Sequence, residues 1–109
     1  MILEKRGKAL ENKYFNDETM NFKVISRRRK LLGLWAAEIM HLNDEESQEY
    51  AKKIVTFGVE DNSEGAVVNL ILDDFKSHEI EMAEDVIREE MEKLHYTAAQ
   101  LIEKESAGE

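Results

Sequence analysis

Apolar residues recur at intervals of three and four along most of this chain, and no proline interrupts the pattern. That spacing places them on one face of an α-helix, whereas a half-buried strand needs strict alternation. Without proline, nothing in the chain forbids long helices. The plainest repeat lies near the carboxyl end, at Ile80, Ala83, Ile87, Met91, Leu94, Ala98 and Leu101. The chain is therefore predicted to be all-α.

Three further helices are predicted upstream of that repeat. The first carries a stripe at helical spacing and ends near His41; its members are Phe15, Glu18, Phe22, Ile25, Arg29, Leu32, Ala36 and Ile39. The second begins at a cap formed by Asn43 or Asp44 and ends at Gly58, and Ser63 caps the third. Two long helices enclosing two short ones predict a compact four-helix bundle over residues 17–106, with a frayed tail at 107–109.

The first sixteen residues are predicted to behave differently from the bundle. Leu3, Leu10 and Tyr14 keep the helical spacing, but Gly7 takes the remaining position of their stripe. A glycine there lowers helix propensity by about 1 kcal/mol. A segment of this length is marginal as an isolated helix. Residues 1–16 are thus predicted to be a mobile arm that folds in a partner's groove, the other interpretation being a frayed helix start without a role.

Charge divides the chain into a basic beginning and an acidic remainder. Residues 1–30 carry nine Lys/Arg and four Asp/Glu, whereas residues 31–109 carry six and twenty. The acidic majority repels phosphates and disfavours nucleic acid as a partner. No segment approaches the ~20 apolar residues of a membrane span. The absence of cysteine excludes thiolate catalysis. We expect a cytoplasmic protein that does not insert into the membrane and is monomeric when free.

Two E-x-x-H motifs, Glu38–His41 and Glu92–His95, resemble the ligand pairs of di-iron carboxylate bundles. Such ligands must face the core, but each glutamate adjoins a residue of the apolar stripe and so points ~100° away from it. No phosphate-binding loop and no local nucleophile–base arrangement occurs. The sequence indicates no catalytic residue, no cofactor and no metal, and a metal-binding bundle is kept only as an alternative.

Four consecutive basic residues, Arg27 to Lys30, lie within the first predicted helix. Consecutive positions fan around a helix, so these side chains do not form one flat phosphate-binding surface. Arg27, Arg28 and Lys30 are predicted to pair with acidic helices of the same molecule, with partner binding as the alternative. Arg29 lies on the apolar stripe and needs a carboxylate partner or a route for its head group to solvent.

A signature surrounds these basic residues, consisting of Phe22, Lys23, Arg27, Arg28, Leu31, Leu32, Gly33, Trp35, Ala36 and Ala37. This block resembles the family of the zeta subunit, an inhibitor of the F-type ATP synthase in alphaproteobacteria. The likeness extends along nearly the whole chain, to Lys8, Glu11, Lys13 and Asp17 upstream and to Tyr50, Ala51, Val55, Ile87, Met91 and Ile102 downstream.

The resemblance implies a four-helix bundle that inhibits ATP hydrolysis and is not an enzyme. In that family, the N-terminal segment becomes helical between an α and a β subunit and blocks rotation of the γ shaft, while the bundle anchors it outside. The expected partners are therefore the α, β and γ subunits of the F-type ATP synthase head. The resemblance places the inhibitory segment from Leu3 to about Asp17, with matching positions at Leu3, Arg6, Lys8, Leu10, Glu11, Lys13 and Tyr14.

The arm departs from the family pattern at two places. Leu3, Glu4 and Lys5 stand where family members often have an aromatic residue followed by two acids, and Gly7 stands where they have a helix-favouring acidic residue. Both changes make the arm more basic and less helical. The alternative to inhibition, besides a metal-binding bundle, is a protein-interaction module of the same fold with a different partner.

Overall fold

The computed structural model describes residues 18–60 and 63–107, and these residues form four α-helices. They are α1 (Glu18–Ile39), α2 (Asp44–Glu60), α3 (Glu64–Ser77) and α4 (Glu84–Ala107). Their lengths of 22, 17, 14 and 24 residues confirm the all-α fold and the predicted long–short–short–long order. The predicted arm and residues 108–109 of the predicted tail lie outside the described residues, while residue 107 still belongs to α4.

Two helices begin at the side-chain caps that the sequence predicts. Asn43 Oδ1 accepts a hydrogen bond from the Glu46 backbone N–H at 2.8 Å, and the Glu46 carboxylate accepts one from the Asn43 N–H at 3.0 Å. This reciprocal pair is a capping box, which satisfies two backbone donors at the start of α2. At the start of α3, Ser63 Oγ accepts from the Ala66 N–H at 3.2 Å.

α1 and α3 end in the same way, although neither ends at a glycine. His41 and Glu79 adopt left-handed backbone conformations, with φ of 59° and 58°. The following residue then donates back into the helix, from Leu42 N to Ala37 O at 3.0 Å and from Ile80 N to Phe75 O at 2.8 Å. These bonds satisfy carbonyl groups that a helix end otherwise leaves unpaired. The predicted end of α1 near His41 is confirmed.

α1 lies antiparallel to α2, since Gly33 faces Ala51 and Arg29 faces Gly58, and it lies antiparallel to α4 in the same way; α3 packs against α2 and α4. The main core consists of buried side chains from all four helices: Leu32, Ala36, Met40, Ile54, Val67, Val68, Ile71, Phe75, Ile87 and Met91. A second, smaller cluster joins the amino half of α1 to the carboxyl half of α4 through Val24, Ala98 and Ile102. α1 is therefore the helix with two neighbours along most of its length.

This double contact corrects the stripe predicted for α1. Phe22, predicted to face the core, is 58% exposed, and Ile25 is only half-buried. Val24 and Arg28 are buried instead, because α4 covers their side of the helix. A single 3–4 stripe describes a helix with one buried face, whereas α1 buries one face against α2 and another against α4.

Two predicted helix boundaries also need correction. Gly58 does not end α2, which continues to Glu60; Gly58 is buried inside the helix. A Cβ at this position would lie 2.6 Å from Cζ of Arg29, so the glycine makes room for that side chain. α4 begins at Glu84, so Ile80 and Ala83 precede it, although Ile80 still packs on the main core.

Candidate partner-binding surface

The arm residues proposed for partner binding lie outside the described residues, so their predicted role stays a prediction. They are Leu3, Arg6, Lys8, Leu10, Glu11, Lys13 and Tyr14. The structure does describe the whole signature block, which lies on α1. Its members divide into residues that build the core, residues that form ion pairs and residues that face outward.

The outward-facing members are Phe22 and Lys23, at the beginning of α1. They line a groove of about 430 Å³ that also includes Ser26 and Lys30 of α1 and, from α2, Val55. Lys30 and Val55 also line an adjoining groove of about 380 Å³, together with Lys52 of α2. We call the continuous surface made by these residues the basic face: Phe22, Lys23, Ser26, Lys30, Lys52 and Val55.

The three lysines of the basic face have no carboxylate partner within 4.0 Å among the described residues. Lys30 therefore forms none of the close ion pairs in the part of the chain that the structure describes, but its charge and that of Lys23 help to lower the pKa of Glu105 on α4, so the predicted interaction of Lys30 with an acidic helix is present only at longer range. Lys52 belongs to this surface although no pattern in the sequence predicts it. The spacing within α2 gives no signal for it, because its place depends on how α2 lies beside α1.

Arg27 forms the ion pair predicted for it, with Glu105 on α4. Its two terminal nitrogens donate to the two carboxylate oxygens at 2.7 and 3.0 Å. This hydrogen-bonded pairing raises the pKa of Arg27 and lowers the pKa of Glu105. The two-point geometry fixes the register of α1 against α4, since a fork of two donors fits a carboxylate in one orientation.

Arg28 also finds an acidic partner, and it is buried. Nη1 lies 3.1 Å from Glu64 Oε1 on α3 and 3.3 Å from Nδ1 of His95 on α4. A guanidinium only donates hydrogen bonds, so Nδ1 accepts and the neutral ring carries its proton on Nε2. Burial, followed by the charge of Arg28, lowers the pKa of His95, while Glu64 opposes that change. Nε of Arg28 is buried without a partner in the described residues.

Arg29 is buried without an ion pair among the described residues, and its side chain lies across Gly58. Burial lowers the pKa of Arg29, with the neighbouring Arg28 adding to the effect and Glu64 opposing it. An arginine remains charged even when its pKa falls, because its ordinary value is so high. The position of Arg29 thus explains why a glycine, Gly58, is buried in α2. Because Arg29 is buried, it is not part of a surface that binds a partner.

Leu31, Leu32 and Gly33 join α1 to its two neighbours. Leu32 is fully buried in the main core, and Leu31 packs against the smaller cluster shared with α4. A Cβ built on Gly33 would lie 2.7 Å from Cα of Ala51, a distance that real Cβ atoms do not show. Gly33 therefore lets the backbones of α1 and α2 approach more closely than any side chain permits.

Trp35, Ala36 and Ala37 complete the buried half of the signature. Both alanines are fully buried. The Trp35 ring meets the ring of Phe75 on α3 edge to face, with centroids 6.0 Å apart and planes at 79°. This is a preferred geometry for aromatic pairs. Eight of the ten signature residues thus act inside the bundle, and only Phe22 and Lys23 are exposed.

The metal-binding alternative gains no support from the part of the chain that the structure describes. No group of three His, Asp or Glu side chains there is arranged to hold a metal ion. His95 faces the guanidinium of Arg28, which repels a cation, and His41 is exposed beyond the end of α1.

The described helices were also compared with the length and apolar character that a membrane span requires, and none of them meets both requirements.

Comparison with known protein families identifies a match that covers most of the chain. The family model described as ATPase inhibitor subunit zeta matches residues 1–101, which include the predicted arm, the signature block and most of α4. No curated protein matches the chain, and no solved structure does. Because the match covers most of the 109 residues, this chain belongs to the ATPase inhibitor subunit zeta family.

Proposed function

We propose that this protein inhibits ATP hydrolysis by the F-type ATP synthase. Its N-terminal arm folds as a helix in an interface between an α and a β subunit and blocks rotation of the γ shaft. The observation that carries this proposal is the family match over residues 1–101, since it spans both the arm and the folded body. Inhibition of this kind requires binding and no catalytic group.

The composition of the core supports a division between a folded body and an arm. Residues 18–107 enclose a core in which Leu32, Ile71 and Phe75 are fully buried. Leu3, Leu10 and Tyr14 form a separate, weaker stripe that Gly7 interrupts. A segment of this kind gains order when a partner supplies an apolar groove. A body bound nearby raises the effective concentration of the arm at that groove.

The first experiment removes the arm. Deletion of residues 1–17 is expected to abolish inhibition of hydrolysis by the F1 head of the same organism and to leave the circular dichroism spectrum of a helical bundle. The expectation follows because the buried core lies within residues 18–107. If the full-length protein does not slow hydrolysis, the proposal is wrong; if the deletion variant inhibits equally well, the arm is not the inhibitory element.

A second experiment tests the apolar stripe of the arm without changing its length. Replacing Leu3, Leu10 and Tyr14 by serine is expected to weaken inhibition at least about tenfold, since each buried apolar side chain contributes about 1.5–3 kcal/mol. The matched control places three serines off the stripe, at Ile2, Ala9 and Asn12. Equal inhibition by both variants would mean that no amphipathic helix forms on binding.

A third experiment addresses the departure at Gly7. Gly7→Ala is expected to strengthen inhibition by up to about fivefold, because alanine favours a helix by about 1 kcal/mol over glycine. The half-inhibitory concentration measures this effect, with Ala9→Gly as the reverse change two residues away. Unchanged inhibition in both variants would show that helix formation in the arm does not limit binding.

A further inference from the structure

The basic face is an unusual surface on this protein. The whole chain carries a net charge of −9. Yet Lys23, Lys30 and Lys52 meet on one surface with no carboxylate within 4.0 Å among the described residues. Glu105 lines the same groove as Lys23 and Lys30, and the charges of both lysines help to lower its pKa, but both terminal nitrogens of Arg27 already bind its carboxylate. Four basic side chains, those of Lys23, Arg27, Lys30 and Lys52, thus line the two grooves with one carboxylate, and the surface keeps a net positive charge.

The same surface has an apolar centre. Phe22 is 58% exposed although it is one of the largest apolar side chains in the described residues. Val55 lines one groove together with Lys30 and Lys52, and Ile102 lines the other groove together with Phe22. An exposed aromatic side chain among mainly positive charges is typical of a protein interface, with the ring as anchor and the charges at the rim.

We propose that the basic face is a second contact of this protein with the F-type ATP synthase head, on an acidic surface with an apolar centre. This inference rests on the proposed function and adds where the folded body binds. Carboxylates of that surface pair with Lys23, Lys30 and Lys52, and an apolar pocket receives the Phe22 ring. Charge complementarity carries the choice of partner, since a surface of three unpaired lysines attracts carboxylates and repels another basic surface.

The test uses the full-length protein and measures two quantities with the purified F1 head: binding, by biolayer interferometry, and the rate of ATP hydrolysis. The test variant reverses the charge of the basic face, with Lys23→Glu, Lys30→Glu and Lys52→Glu. We expect its dissociation constant to rise about 10- to 1,000-fold, mostly through slower association, as for other reversed steering charges. Complete inhibition is still expected at saturating concentration, because the arm is unchanged.

The matched control reverses three exposed lysines outside the basic face, at Lys76, Lys93 and Lys104. These lysines also have no carboxylate partner within 4.0 Å among the described residues. The control therefore has the same net charge as the test variant. If control and test variant bind equally weakly, the effect is one of net charge, and the inference is wrong. A milder variant with glutamine at the three positions of the basic face covers the case in which charge reversal impairs folding.

The apolar centre has its own pair of variants. Phe22→Ala is expected to weaken binding about tenfold, mostly through faster dissociation, as for an anchor in a pocket. Tyr96→Ala is the control, since Tyr96 is 70% exposed and lines a different groove, beside Arg28 and His95. Equal binding by both variants overturns the role of Phe22.

The two readouts separate this inference from the proposed function. If the natural protein binds the head without slowing hydrolysis, and charge reversal weakens that binding, the basic face is supported and inhibition is not. If the natural protein inhibits and the reversed variant binds as tightly as it does, inhibition stands and the basic face is excluded. If the free protein sediments as a dimer and the reversed variant as a monomer, the surface binds a second copy, and the inference is wrong.

Discussion

The two halves of α1 differ although they form one unbroken helix. From Leu31 onward the helix consists of side chains that are buried or half-buried, with Glu38 as its one exposed residue. Its amino half buries Val24 and two arginines and exposes Phe22 together with two lysines of the basic face, Lys23 and Lys30. The comparison shows that the signature block combines two tasks. Its second half fixes how the helices pack, and its first half presents charge to the surroundings.

The strongest test of this difference compares two large apolar residues of the same helix. Leu32→Ala is expected to lower the free energy of unfolding by about 2–5 kcal/mol, because Leu32 is fully buried and truncation leaves a cavity. Phe22→Ala is expected to change it by less than about 0.5 kcal/mol, since the ring is mostly exposed. Urea unfolding followed by circular dichroism measures both. If both variants lost a similar amount of unfolding free energy, the two halves of α1 would not differ in their contribution to stability.

A second prediction concerns the close contact between α1 and α2. Gly33→Ala is expected to lower the free energy of unfolding by about 1–3 kcal/mol, because the new methyl group meets backbone atoms of Ala51 that do not give way. Gly65→Ala is the control: its Cβ would come no closer than 3.9 Å to Arg88, so stability is expected to stay the same or rise. If the Gly33→Ala variant were more stable than the natural protein, the close contact between α1 and α2 at Gly33 would not be needed for stability.

A third prediction sharpens the comparison at the ion pair. Arg27→Met is expected to destabilise the protein less than Gly33→Ala does, because the side chains of Arg27 and Glu105 retain 28% and 53% of their exposure. Unfolding of both variants at low and high salt measures this. The difference between natural and variant protein is expected to shrink at high salt, which screens exposed charges. A loss larger than that of Gly33→Ala would mean that the pair supports the whole contact between α1 and α4.

The smallest expected effect concerns the pH dependence of stability. Because the pKa of His95 is lowered in the folded protein, the unfolded chain binds a proton first as the pH falls below the ordinary value of 6.5. Stability from this residue is therefore lost on acidification, and above pH 6.5 it contributes no pH dependence. His95→Gln is expected to reduce the decline in melting temperature between pH 7 and pH 5. A decline that stays as steep in the His95→Gln variant would show that His95 does not cause it.

Much of the fold follows from local patterns in the sequence. The number and order of the helices, the Asn43 and Ser63 caps and the end of α1 all depend on residues within one or two turns of each other. The errors arise where two helices meet. Gly58 has the local signal of a helix end, but the packing of Arg29 decides its role. Phe22 has the spacing of a core residue, but the position of α4 leaves it exposed.

The candidate site was predicted less completely for the same reason. Arg27 and Arg28 were expected to pair with acidic helices, but nothing within the sequence selects Glu105 or Glu64 from the many carboxylates of the chain. The basic face depends on α1 and α2 lying side by side, so Lys52 is separated in sequence from the residues it adjoins. Residues that are distant along the chain and carry no mutual pattern become visible only through tertiary structure.

The backbone contact at Gly33 has a mechanical consequence. Under the function proposed above, the folded body must hold the arm in place against the force of a rotating shaft. α1 is an uninterrupted rod of 22 residues, roughly 33 Å long at 1.5 Å per residue. On one side its backbone contacts α2 closely at Gly33, and on the other side the ion pair between Arg27 and Glu105 joins it to α4. A force on the first turn of α1 is therefore expected to be shared with α2 and α4 rather than bending α1 alone.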